Sequence, residues 1–300
     1  MAKKIAFENV FPFQDLAVLV AHHEGLFKAE GLDVAFVRTP ALWEVKADRS
    51  MTSPQGSALI GHGSRNEEGA ATMYNACEWG NYRRAQDSRA GARQVGRRAS
   101  VAYGAIIVPP RSAVYTPQQL AGVPVGVPYY NGTHYLALQM LEGFLPRHHI
   151  TTCQAPLMAR ERYRALLSGE LPATTVVEPY ITVAEKAGCR VLVESCFHGT
   201  EVATDALDAE TYAAFKRAVR TAIGRINADK RKYAQYFIDY HKDDPDVAAL
   251  TVDDFNLGRI QVAELGPIPE DEFTRTYEWM VSWDLIGEGH RMEDLVRPHS

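Results

Sequence analysis

The opening of the chain constrains its fold more than any other stretch. "KIAFENV", Lys4 to Val10, is a β-rich run that closes at Pro12 and Phe13. Gln14 and Asp15 then start a helix, with Asp15 well placed against its positive N-terminal end. Leu16, Leu19, Val20 and His23 fall on one helical face, and Leu26 and Phe27 extend the apolar patch. Gly25 and Gly31 end the helical stretch, since glycine takes positive φ at little cost. "LDVAFV", Leu32 to Val37, alternates as a strand does. A β–α–β order of this kind calls for a parallel strand pair covered by the intervening helix.

The 300 residues, 46% hydrophobic and 23% charged, suit one large or two medium globular domains. A net charge of −5 with both signs interspersed argues against nucleic acid or an anionic membrane as the main partner. No apolar run approaches the ~18–20 residues of a membrane span. "MAKKIAFENV" lacks the apolar core of a secretory signal, which sets the expectation of a cytoplasmic protein. Cys77, Cys153, Cys189 and Cys196 form no CxxC pair and read as reduced thiols. His22–His23 and His148–His149 are adjacent pairs without zinc-site spacing, and neither a metal nor an organic cofactor is expected.

Further βα units follow. "GSALIGHGS", Gly56 to Ser64, reads as a strand ending in a glycine-rich turn. Ser64 and Glu67 have capping-box spacing and predict a helix over "EEGAATMYNACEWGNY". The arginines between Arg83 and Arg98 read as a solvated face. "ASVAYGAIIVPP" and "GVPVGVPYYNGT" each supply a strand, and "HYLALQMLEGF" a helix. "ARERYRALLSGE", "ATTVVEPY", "ITVAEKAG" and "CRVLVES" complete a helix–strand–helix–strand cycle, and the chain after His198 is mostly helical. The fold class predicted is α/β, with two Rossmann-like lobes joined by a double hinge. Crossings near 102–112 and 196–204 place one lobe at 1–112 and 196–300 and the other at 113–195.

At this point the sequence resembles a known family. "AHHEGLFKAEGLDV", "YTPQQLAGVPVGVPYYNGTHYLALQML", "YRALLSGELPATTVVEPYITVAEKAGCRVL" and "YEWMVSWDLI" stand in the order found in the SsuA/THI5/NMT1-like branch of the type II periplasmic-binding-protein superfamily. The stretch about 40–100 departs from the family pattern. The resemblance implies two lobes that close on a small-molecule ligand. Ligands in such folds sit at the carboxyl ends of the strands, between the lobes. Four loops are then expected to meet: Phe11, Phe13 and Gln14; His62, Gly63, Ser64 and Arg65; Asn131, Gly132, Thr133 and His134; and Glu178 with Tyr180. Thr133 begins a helix whose free N–H groups favour an anion, although Asn131 to Thr133 also serve simply as turn and cap. Arg65 can pair with a carboxylate, sulfonate or sulfinate, or be solvated.

Two function classes remain open. One is a cytosolic enzyme, a cofactor-independent lyase or hydrolase of the decarboxylase or desulfinase kind, acting on a small aromatic anion. It would use His62 as acid/base, Glu178 as its assistant, and Phe11, Phe13, Tyr129, Tyr130 and Tyr180 as stacking walls. Cys77 is a third candidate, as a nucleophile, against the plain reading of a buried core thiol. The desulfinases that the chain resembles carry a nucleophilic cysteine just after their first strand, where this chain has Val10. The other class is a substrate-binding protein for a sulfonate, nitrate or pyrimidine-like ligand, with an ABC permease as partner, or a cytosolic ligand sensor or carrier.

Overall fold

The structure is a computed structural model and describes residues 2–38, 63–88 and 91–297. The first units run β1 (Lys3–Glu8), α1 (Pro12–His23), α2 (Leu26–Ala29) and β2 (Leu32–Val37). β1 and β2 pair in parallel, as the opening sequence requires. Asp15 caps α1 from inside its first turn, its Oδ2 accepting the Phe11 N–H at 2.9 Å. Leu16, Leu19 and Val20 are buried on the core face, whereas His23 is exposed, its ring near Tyr236.

Next come α3 (Ser64–Glu67), β3 (Met73–Cys77), α4 (Glu78–Asp87), β4 (Arg93–Arg97) and β5 (Ser100–Val108). This corrects the predicted helix over 67–82: Glu67 ends α3, the middle is the strand β3, and helix resumes only at Glu78. Gly63, in the left-handed region at φ 92°, occupies the cap, and Ser64 makes no capping box. The Ser64 hydroxyl instead donates to Glu8 Oε1 at 3.4 Å. The predicted strand "SALI" lies outside the described residues.

The second half holds β6 (Val125–Val127), α5 (Gly132–Glu142), β7 (Thr152–Gln154), α6 (Ala159–Leu167), β8 (Ala173–Val177), α7 (Tyr180–Lys186), β9 (Arg190–Phe197) and β10 (Gly199–Ala203). It ends in α8 (Ala209–Ala228), α9 (Lys230–Tyr240), α10 (Pro245–Ala248), β11 (Gln261–Val262), α11 (Glu270–Ser282) and α12 (Met292–Leu295). One sheet has the order β2-β1-β3-β10-β4 and the other β11-β5-β8-β6-β7, with β9 paired to β5. The chain leaves the first sheet after Arg97 and returns at Gly199, so β5 belongs wholly to the second sheet.

The arginines expected to be solvated are not all so: Arg83, Arg84 and Arg98 are buried. Arg98 lies at the crossing itself, donating to Ser100 O at 2.9 Å and Gln14 Oε1 at 3.2 Å. A Cβ at Gly199 would come within 2.3 Å of Arg98 Cζ, so only glycine lets the returning strand pass that guanidinium. Phe215 of α8 stacks on Phe7 and Phe27 at 5.9 and 5.2 Å, tying the long C-terminal helix to the first sheet. No helix among the described residues is long and apolar enough to cross a membrane.

Candidate ligand-binding cleft

The carboxyl ends of β1, β3 and β8 and the start of α5 converge on one cavity between the two sheets. Its empty space is about 830 Å³, counting the open mouth. Phe11, Phe13, Leu157, Met158, Val177, Tyr180 and Phe197 give it apolar walls, and Gln14, Cys77, Arg84, Asn131, Thr133, Arg162, Glu178 and His241 supply polar groups. Three of the four expected loops therefore meet here.

The described residues of the fourth, Gly63, Ser64 and Arg65, do not. Arg65 pairs with Glu68 at 2.7 Å and donates to Arg38 O, Ser64 turns to Glu8, and Gly63 packs beneath the ring of Tyr74. None of the three lines the cavity. His62 lies outside the described residues. His134 faces away as well: its Nδ1 accepts the Tyr130 N–H at 3.1 Å, and burial pushes its pKa down to about 4. Tyr129 and Tyr130 pack around that imidazole and form no wall of the cavity.

Glu178 does line the cavity but is held on both oxygens. Oε2 accepts the Thr182 N–H at 3.1 Å and its hydroxyl at 2.9 Å, and Oε1 faces Arg259 at 3.4 Å. Burial raises its pKa, and these bonds with Arg259 act against the rise. The Tyr180 hydroxyl donates to Asp244 at 2.6 Å, leaving its ring face to the cleft.

At the floor, α5 lies against the end of β3 and against Phe197. A Cβ at Gly132 would lie 3.1 Å from Cys77 Cβ and 3.2 Å from Phe197 Cζ. Glycine thus serves a close approach of α5 to β3, in addition to the approach to a ligand that the sequence suggested. The first turn of α5 leaves N–H groups without intrahelical partners, and Asn131 at its cap makes no side-chain bond to them. Thr133 is 5% exposed, and its hydroxyl has no hydrogen-bond partner. The same holds for Nε of Arg84, which is 9% exposed.

Arg84 belongs to the run expected to be solvated and is buried here, and Arg162 carried no expectation from the sequence. Arg162 is held by main-chain carbonyls alone, Nε to Thr175 O at 2.7 Å and Nη1 to Pro156 O and Leu157 O at 2.8 and 2.6 Å. Burial lowers its pKa to about 9. Among the described residues neither arginine has an ion-pair partner, so the cleft carries two buried guanidinium groups without a carboxylate to match. A buried uncompensated cation attracts an anion strongly at low local dielectric. The periodicity of α6, with Arg162 between buried Ala159 and Tyr163, was the one available signal for an inward guanidinium. No group of three or more His, Cys, Asp or Glu among the described residues is placed to hold a metal ion.

No protein-family model matches the sequence, and no curated protein matches it. Solved structures do match along the whole chain. The alkanesulfonate-binding protein SsuA from Xanthomonas axonopodis pv. citri, bound to MOPS, superposes with a TM-score of 0.72 at 15% identity, covering 99% of this chain and 98% of that one. The periplasmic aliphatic sulphonate-binding protein SsuA from Escherichia coli gives 0.70 at 13% identity, covering 100% and 92%. The desulfurization enzyme DszB in complex with biphenyl-2-sulfinic acid gives 0.63 at 12%, covering 99% and 97%. The chain has the two-lobed α/β fold of the SsuA-like binding proteins, a fold that these structures show in both a binding protein and an enzyme.

Proposed function

We propose that the cleft binds a small organic anion with an apolar or aromatic body, and that the protein works first as a binding protein. The observation that carries this is the pair of buried donors without partners, Arg84 Nε and Thr133 Oγ1, beside the N-terminus of α5 and within apolar walls. A carboxylate or sulfonate has oxygens enough for both, while its body packs on Phe13, Met158 and Tyr180. The ligands of two similar structures, MOPS in SsuA and biphenyl-2-sulfinic acid in DszB, are organic sulfur acids and support this choice of class. The lyase or hydrolase reading has less support, because Glu178 is bound to Thr182 and Arg259, and burial pushes the pKa of His241, the imidazole in the cavity wall, down to about 4, which leaves it a weak base.

The test is a thermal-shift and calorimetric panel of aryl and alkyl sulfonates, sulfinates and carboxylates, each beside its neutral amide. A ligand at ~100 times its Kd adds ~2.7 kcal/mol of stability. Acids should bind and the amides should not. Arg84→Gln should weaken the best acid about 10- to 100-fold, as expected for one charge-assisted bond of ~1.5–3 kcal/mol. Amides binding as well as acids, or an Arg84→Gln variant with unchanged affinity, would contradict the reading. Mass spectrometry of each bound acid after long incubation separates storage from turnover.

A further inference from the structure

Cys77 stands at the end of β3 and is at once the cap of α4, where its Sγ accepts the Gly80 N–H at 3.3 Å. Its Cβ lies against Gly132, the first residue of α5, so two helix N-termini meet at this thiol. A Cβ placed on Gly80 would be 2.9 Å from Cys77 Sγ and 3.1 Å from Arg84 Nη1, so thiol and guanidinium both border the space over Gly80. Cys77 lines the cleft together with Thr133 and Arg84, whose side chains each carry a buried donor without a partner. A thiol alone would be only a core residue, but those two donors mark the same volume as the seat of a ligand.

We propose that Cys77 is a nucleophile held over the anion seat, and that the cleft takes organic acids with an electrophilic carbon close to the anionic group, such as α-halo or α,β-unsaturated acids. This rests on the reading of the cleft as an anion site. With an α-halo acid the sulfur forms a bond to the α-carbon, the carbon–halogen bond breaks, halide leaves with the electron pair, and the thiol proton goes to solvent. With an unsaturated acid the sulfur bonds to the β-carbon, the π pair takes the thiol proton at the α-carbon, and nothing is released. Burial raises the pKa of the thiol, with Arg84 and the Gly80 N–H acting against the rise. Selectivity therefore comes from placement of the electrophile and not from an unusually large thiolate fraction.

Iodoacetate and iodoacetamide test this on the full chain. Both report on the same thiol in the same ionisation state, so the ratio of their rates at Cys77 isolates the effect of the carboxylate. Peptide mass spectrometry reads that ratio, with exposed Cys196 as the internal reference. The acid should be favoured at Cys77 by ~10-fold or more relative to Cys196, with a rate that saturates in iodoacetate. Arg84→Gln, and separately Thr133→Val should the arginine variant not fold, should bring the ratio down towards that of Cys196. A ratio at Cys77 equal to that at Cys196, or a Cys77 that neither reagent modifies in the folded protein, overturns the proposal. If panel acids bind in calorimetry while the ratio stays flat, the nucleophile fails and the anion site stands; if no acid binds and the ratio is flat, both fail.

Discussion

Glu178 occupies the end of β8 inside the cleft, is 4% exposed, and spends its oxygens on Thr182 and Arg259. Arg259 is itself shared with Glu185 and Glu194, at 2.8 and 2.7 Å. The carboxylate therefore fastens the start of α7 to the segment before β11. Glu178→Gln would set an amide N–H₂ against donors on one side or the other. Such a mismatch costs about 1–3 kcal/mol of stability. Urea unfolding should show that loss, while calorimetry shows the affinity for acids changed by less than about threefold. Unchanged stability with a large loss of affinity or turnover would instead put Glu178 on the ligand.

Among the elements, β10 carries the most demanding side chain. Glu201 is fully buried, with Oε2 accepting the Tyr212 hydroxyl at 2.7 Å and Oε1 without a partner. Burial pushes its pKa from the ordinary 4.5 up to about 8, against the pull of Tyr212 and Lys216. The folded state then holds a proton that the unfolded state releases, so this residue's contribution is full below about pH 4.5 and is lost as pH rises to about 8. Asp15, raised by burial to about 6, acts in the same direction over a lower window, from 3.8 to about 6. Glu201→Gln should flatten the fall in melting temperature between pH 6 and 8 and leave the Asp15 window in place. Parallel wild-type and mutant curves across pH 5–8.5 would refute the assignment.

The elements also show what the sequence revealed and what it hid. β1, α1 and β2 were legible because alternation and helical spacing each had one buried face to report. β3 was not: all five residues from Met73 to Cys77 are buried, so "MYNAC" alternates with nothing, and a capping-box pattern at Ser64 and Glu67 pointed to a helix. That error also placed Cys77 within a helix, when it ends a strand beside the ligand cavity. The glycine-containing turn at Asn131 to Thr133 was visible from its residue types. Arg84 was not, because nothing in the run from Arg83 to Arg98 tells which arginine will be covered, and for Arg162 only the spacing of α6 pointed inward.

At the scale of the whole molecule, Asp244 links the two lobes. It precedes α10, which packs against both α9 and α7, and it accepts the Tyr180 hydroxyl at 2.6 Å and pairs with Arg160 at 3.0 Å and Arg164 at 3.8 Å. Those three residues come from α6 and α7, which cover the second sheet. Tyr180 is also a cavity wall, so the latch and the cavity share a residue. Asp244→Asn should enlarge the radius of gyration in small-angle scattering and speed acid dissociation, with little change in the association rate. Unchanged scattering and dissociation would mean that the lobes are held closed by packing alone.

The claim that joins these scales is that the anionic group of the ligand sits at Arg84, Thr133 and the start of α5. It is tested most directly by anomalous diffraction from crystals grown with a para-bromo aryl sulfonate, in which sulfur marks the charged end and bromine the apolar end. The account predicts a sulfur peak within hydrogen-bonding range, through its oxygens, of Arg84 and the Thr133 hydroxyl, with the bromine towards Met158 and Tyr180. Sulfur at the Met158 end with bromine against Arg84, or an empty cleft with the sulfonate bound elsewhere on the protein, would contradict it.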